Sequence, residues 1–235
     1  MKTPFLWLGA NRARKWPVGD KARLLDKAAS AGLPVPPGGI LLDELFALLI
    51  KEGVVTEREG VVTAVSDSWL AETLYEGVHF PRLTVPVIIR AAFSLAGVPQ
   101  LADPLFAPQR AVQPTDPAQL AQALCRVWSS ARGLAGLRRD VLLTEMVGVE
   151  MPGTAVTGGH APDHVTCHPP GTAPAALELP WPGRFARPDS SLPPYARRLQ
   201  LLLRGVRRTF GAGSWQVDWL DDGRICWLIQ IHPHG

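Results

Sequence analysis

Apolar positions along this chain follow two rhythms, and the switches between them mark the elements. Phe5 to Leu8 is a short apolar run that predicts a strand. In the segment GDKARLLDKAASAG, Leu24, Leu25 and Ala28 recur at helical spacing, with Asp20 as the expected cap and Gly32 as the stop. Leu33-Pro34-Val35-Pro36-Pro37-Gly38-Gly39 cannot be helical, because each proline disfavours the α region in the residue before it. An extended entry into Ile40-Leu41-Leu42 is therefore expected, followed by a second helix over Asp43 to Glu52. Val61 to Val65 and Leu83 to Ile89 are β-branched runs that predict strands, with the polar stretch Ser66 to Gly77 between them.

The region from Gly97 to Pro117 is proline-rich and has no period, which makes it the candidate boundary between a lobe of residues 1–110 and one of residues 111–235. Thr115-Asp116-Pro117 then opens a helix, with Leu120, Leu124, Val127 and Ala131 on one side. Val141 to Val147 and Thr154 to Thr157 read as a hairpin around Met151-Pro152-Gly153, and Pro169 to Pro194 as a connection. Tyr195 to Phe210 predicts a helix buried through Leu199, Leu202, Val206 and Phe210, with Arg197, Arg204 and Arg208 facing outward. Two closing strands, Trp215 to Leu220 and Arg224 to Ile231, are joined by Asp221-Asp222-Gly223. With a three-residue loop, cross-strand partners sum to an even number, so Asp218 and Gln230 share a face.

The 235 residues are enough to bury a core without metals or disulfides, and 46% hydrophobic against 19% charged residues excludes disorder driven by charge. A formal charge of +3 suits anionic partners without choosing among them. Three widely spaced cysteines form no disulfide framework. The apolar start is too short for an export signal, and no run of eighteen apolar residues exists, so a cytoplasmic protein without a membrane span is expected.

The run GDKARLLDKAASAGLPVPPGGILL resembles the opening of the phosphoenolpyruvate synthase and pyruvate phosphate dikinase family, which reads glycine-glycine-lysine, a leucine-rich helix and alanine-glycine-x-proline-valine-proline-proline-glycine. Three further stretches follow in family order. Leu124 to Ser130 is similar to its tryptophan-serine helix, Leu142 to Thr157 to its glutamine-methionine-valine hairpin, and Trp215 to Pro233 to its closing hairpin ending in glutamine-x-arginine-proline. The resemblance implies an α+β, ATP-grasp-like fold with two lobes around a nucleotide cleft, and ATP with Mg²⁺ as cofactors. Lys21 stands at the family's phosphate-binding lysine, an ammonium suited to a nucleotide phosphate. Glu145 falls near its adenine-side hinge, Gln230 at its nucleotide-contacting glutamine, and Asp218 at its acidic metal ligand, shorter by one carbon.

Two departures oppose catalysis. Where the family has valine-arginine-serine-serine, this chain has Val65-Ser66-Asp67-Ser68. Where it has glutamine-x-arginine-proline, this chain has Gln230-Ile231-His232-Pro233, so His232 takes the place of a permanent cation. A charge-assisted hydrogen bond contributes about 1.5–3 kcal/mol, and losing two such groups predicts weak or lost phosphotransfer with ATP binding retained. The family's phosphohistidine and phosphoenolpyruvate-binding domains have no counterpart here. The complete synthase reaction is thus not expected on this chain, and a protein partner could supply the missing domains.

Other constellations carry less. His160, His164, Cys167 and His168 crowd one region, but paired cysteines are missing and a strand would send Cys167 and His168 to opposite faces, which argues against zinc. The arginines at 197, 198, 204, 207 and 208, with Arg138, Arg139 and the Arg12-Arg14-Lys15 cluster, define the alternative reading: a non-catalytic protein binding nucleic acid or a protein partner through a basic helix. The eight tryptophans are scattered and suit core packing.

Overall fold

The computed structural model describes residues 3–95, 106–158, 162–181 and 186–234. Two compact units divide the chain, one of residues 1–23 and 37–146 and the other of residues 24–36 and 147–235. Helix α1, Asp20–Ser30, runs from the first into the second. The units do not part at the expected 110/111 division. Gln109–Val112 straddles that division and pairs with Val87–Ala91 inside unit one, so the chain does not change units there; residues 97–105 of the proline-rich region lie outside the described residues.

Unit one contains the strands β1 (Phe5–Trp7), β2 (Gly38–Leu41), β3 (Val55–Arg58), β4 (Val61–Ala64), β5 (Val87–Ala91), β6 (Ser94–Leu95), β7 (Gln109–Val112), β8 (Leu137–Arg138) and β9 (Val141–Glu145). Five of them form an antiparallel sheet in the order β1-β2-β9-β5-β7, while β3-β4 and β6-β8 are separate pairs. Helices α2 (Asp43–Lys51), α3 (Asp67–Glu72) and α4 (Pro117–Ser129) complete the unit. Helix α4 begins as its sequence dictates: Asp116 accepts the amides of Ala118 and Gln119, with proline inside the first turn. Its Leu120, Leu124, Val127 and Trp128 enter one core with Phe46 of α2, whose ring centroid lies 5.2 Å from that of Trp128. The stretch Ser66 to Gly77, expected only as a polar segment between strands, is helical: Leu70, Ala71, Leu74 and Tyr75 recur at i and i+4 and are buried in the core, and Ser66 caps α3 by accepting the Trp69 amide at 3.3 Å. A π-helical turn, Thr73–Gly77, follows it.

Unit two is a second antiparallel sheet with one long helix. Its strands are β10 (Met151–Val156), β11 (Asp163–Cys167), β12 (Ala175–Leu179), β13 (Trp215–Asp221) and β14 (Cys226–Pro233), in the order β12-β11-β10-β13-β14. Helix α5, Pro194–Phe210, packs on β13 and β14. The expected hairpin of Val141 to Val147 with Thr154 to Thr157 does not form. β9 pairs with β2 and β5 in unit one, whereas Met151-Pro152-Gly153 lies inside β10, between β11 and β13. Two hydrophobic runs close in sequence imitate a hairpin, yet each buries against different neighbours. The Pro169 to Pro194 connection contains the edge strand β12, where alternation is weak because most of its residues are exposed.

Candidate functional site

The two faces of the unit-two sheet differ in chemistry, and β-strand alternation decides which residue goes where. Val217, Trp219 and Asp221 of β13 point toward α5. Trp219 stacks on Tyr195 with ring centroids 6.3 Å apart, and Arg198 of α5 grips Asp221 with bonds of 2.7 and 2.6 Å. Val165 and Cys167 of β11 share that side, together with Asp163, which is bidentately bound by Arg207 of α5.

The opposite face is polar. Asp218 stands directly across from Gln230, and Gln216 across from His232, so two cross-strand pairs lie side by side on it. On the neighbouring strand Thr154 lies opposite Asp218, and next along that row Thr166 lies opposite Thr154. Gln230 is buried, Asp218 half-buried, and the Nδ1 of His232 is buried without a hydrogen-bond partner.

The shared face of Asp218 and Gln230 was expected from a three-residue loop, but it arises otherwise. Asp221 pairs with Cys226, which leaves four loop residues, Asp222 to Ile225, with Gly223 left-handed at φ 85°. Partners up to Trp219↔Leu228 therefore sum to an odd number, a parity that would place Gln230 under α5. A β-bulge between Asp218 and Trp219 leaves Ile229 as the extra residue and restores the even sum, so Gln230 and His232 emerge on the polar face.

In unit one, Lys21 occupies the first turn of α1 and is half-buried. Glu145 ends β9, opposite Val87, with its amide bonded to the Pro37 carbonyl at 2.8 Å and its side chain half-buried. The sequence-predicted residues thus fall into two sets: Asp218, Gln230 and His232 on one face in unit two, and Lys21 and Glu145 each at the end of an element in unit one. Gln216 and Thr154 join the first set; alternation along the predicted strand could have pointed to Gln216, and only the strand register to Thr154.

Ser66, which stands where the resembling family carries arginine, serves as a helix cap, and Asp67 opens α3. Elsewhere in unit one the buried Asp140 carboxylate accepts the Asp43 amide at 2.9 Å. Burial pushes it up to about 6, against the pull of Arg138.

Among the described residues no group of three or more histidines, cysteines or carboxylates is placed to hold a metal. His160 lies outside the described residues. Cys167 is buried toward α5 while His164 projects from the other face toward Glu178, 3.6 Å away, and β11 ends at Cys167, short of His168. No helix among the described residues is long and apolar enough to cross a membrane.

No family model matches the chain, and no curated protein sequence matches it. Solved structures do. The D-Ala:D-Ser ligase VanG of Enterococcus faecalis is similar over 91% of this chain and 52% of its own, at 16% identity and a TM-score of 0.50. A RimK-domain ATP-grasp protein from Sphaerobacter thermophilus is similar over 91% of this chain and 59% of its own, at 15% identity and a TM-score of 0.47. A biotin carboxylase from Campylobacter jejuni, solved as a complex with β,γ-ATP, is similar over 93% of this chain and 41% of its own, at 14% identity and a TM-score of 0.47. The chain thus spans about half the length of the solved structures it matches. The fold is α+β and ATP-grasp-like, as the sequence led us to expect. Identity this low establishes the fold and leaves the chemistry to the residues.

Proposed function

We propose that this chain binds ATP with Mg²⁺, using the polar face of the unit-two sheet together with Lys21 and Glu145, and that its phosphoryl transfer is weak or lost. The observation that carries the reading is the direct cross-strand pairing of Asp218 with Gln230, next to Gln216 with His232, on the face turned away from α5. A carboxylate and an amide carbonyl side by side are hard oxygen donors. Mg²⁺ is ordinarily held by one or two protein carboxylates with nucleotide phosphates and water completing the octahedron, so a single Asp218 fits this ion better than it fits a protein-only metal cage. When bound, the ion neutralises phosphate charge. The protein's part is to orient the nucleotide through Gln230 and His232, whose buried Nδ1 lacks an internal partner, and to offer the Lys21 ammonium to a phosphate.

The four collinear stretches resembling phosphoenolpyruvate synthases and pyruvate phosphate dikinases support this assignment of roles. A guanidinium is lacking at both Ser66 and His232. In other phosphoryl-transfer enzymes a transition-state arginine supplies about 10³–10⁵ in rate, so the loss falls on turnover more than on affinity. A polypeptide bearing phosphohistidine and phosphoenolpyruvate-binding domains is the partner this reading calls for.

Isothermal titration with Mg-ATP provides the test. Saturable binding is expected, and Lys21→Ala should weaken it by about tenfold or more, the loss of one charge-assisted hydrogen bond. Absence of binding by the intact chain, or equal affinity of the Lys21→Ala variant, would overturn the proposal.

A further inference from the structure

Helix α5 carries five arginines, and its packing divides them into two groups with different roles. Arg198 and Arg207 turn inward and are bound by Asp221 and Asp163. Arg197, Arg204 and Arg208 fall within one helical stripe with Leu201, since positions i, i+4, i+7 and i+11 return to the same side. None of these three forms an ion pair among the described residues. Arg204 Nη1 donates only to the Ala186 carbonyl, at 2.7 Å.

A cavity of about 840 Å³ lies along this stripe, entirely within unit two, lined by Trp181, Leu201, Arg204, Arg207 and Arg208 among others. No acidic side chain lines it among the described residues. Trp181 and Leu201 are 39% and 43% exposed, so an apolar surface lies open beside the positive charge. The guanidinium of Arg207, fixed from below by Asp163, sits 5.5 Å from the centre of the Trp181 ring and holds the indole by a cation–π contact. The result is an anchored aromatic ring beside a row of unpaired cations.

We propose that this face of α5, with Trp181, is a binding site for single-stranded nucleic acid. A base stacks on or beside the indole and Leu201, while Arg197, Arg204 and Arg208 contact successive phosphates. Charge complementarity selects a polyanion, and the exposed ring selects one with unstacked planar groups. The three arginines span eleven residues, about 16 Å of helix axis, which is longer than a single nucleotide and suits a strand of several. This site is separate from the polar sheet face proposed for ATP, because β13 and β14 turn that face away from α5.

Fluorescence anisotropy with the whole chain and a labelled oligothymidylate of about 15 nucleotides tests it. Saturable binding is expected, weakened roughly twentyfold when KCl rises from about 50 to about 200 mM, as three phosphate contacts at about 0.7 released ion each require. Trp181→Ala should lose about fivefold or more and Trp181→Phe should recover most of that loss. Arg208→Glu, at an exposed position where folding is not at stake, should weaken binding and flatten the salt dependence. Circular dichroism of each variant confirms that it is folded. The proposal is overturned if the oligonucleotide does not bind at low salt, if Trp181→Ala or Arg208→Glu, once shown to be folded, binds as the parent does, or if duplex DNA or polyglutamate binds as tightly as the single strand. The last outcome would mark a general anion surface or a site for acidic protein segments.

Discussion

At the scale of single residues, the contrast between Arg207 and Arg208 shows what adjacent positions on a helix can do. Arg207 is buried, and both arms of its guanidinium engage Asp163, which is itself 1% exposed. Removing one partner of such a pair leaves a charge without compensation in a poorly solvated place, so Asp163→Asn should cost about 3–5 kcal/mol in urea unfolding. Replacing both residues by apolar ones of similar volume, Asp163→Leu with Arg207→Met, should cost less than the single change. The sequence supplied the basic face of Arg197, Arg204 and Arg208, because helical period alone defines it. It could not assign Arg198 and Arg207 to carboxylates 23 and 44 residues away, since those contacts depend on strand order. Likewise Ser66-Asp67 could be recognised as departing from a guanidinium-bearing motif, but its use as a helix cap required the helix to be seen.

At the scale of elements, the segment after Pro36-Pro37 illustrates how backbone crowding dictates a residue. A Cβ on Gly38 would lie 2.1 Å from the Leu143 carbonyl oxygen and 2.8 Å from the Thr144 Cα, both backbone atoms of β9 that cannot swing aside. Gly38→Ala should therefore destabilise the chain by about 1–3 kcal/mol, read from thermal or urea unfolding, by prising β2 from β9. This gives a physical reason for glycine after the prolines in the resembling motif. Strongly periodic elements were legible: α1, α2, α4 and α5 lie where their apolar stripes put them, within a few residues. Strand pairing was less so. β9 and β10 look like one hairpin in sequence because both are apolar, and only the competition of β2, β5, β11 and β13 for their edges separates them. The shared face of Asp218 and Gln230 was inferred from the wrong loop length, and a bulge that sequence does not announce supplied the parity.

At the scale of the whole molecule, the path of the chain is the feature that local patterns conceal. Residues 24–36 leave unit one for unit two, and the chain returns at residue 37 before crossing again after residue 146. A division based on composition cannot find the first of these crossings, because it falls at residues 23/24 inside the continuous helix α1. The fold class was nonetheless legible, because the resembling stretches stand in one order along the chain. Paramagnetic broadening by Mn²⁺-ATP would locate the nucleotide on the protein, because Mn²⁺ takes the oxygen ligands of Mg²⁺ and reports its surroundings by NMR. A nucleotide held on the polar face of the unit-two sheet gives selective broadening at Asp218, Gln230, His232 and Thr154, reversed by excess Mg-ATP and lost in Asp218→Asn. Broadening confined to the Trp181 and α5 surface, or none at all, would contradict that placement.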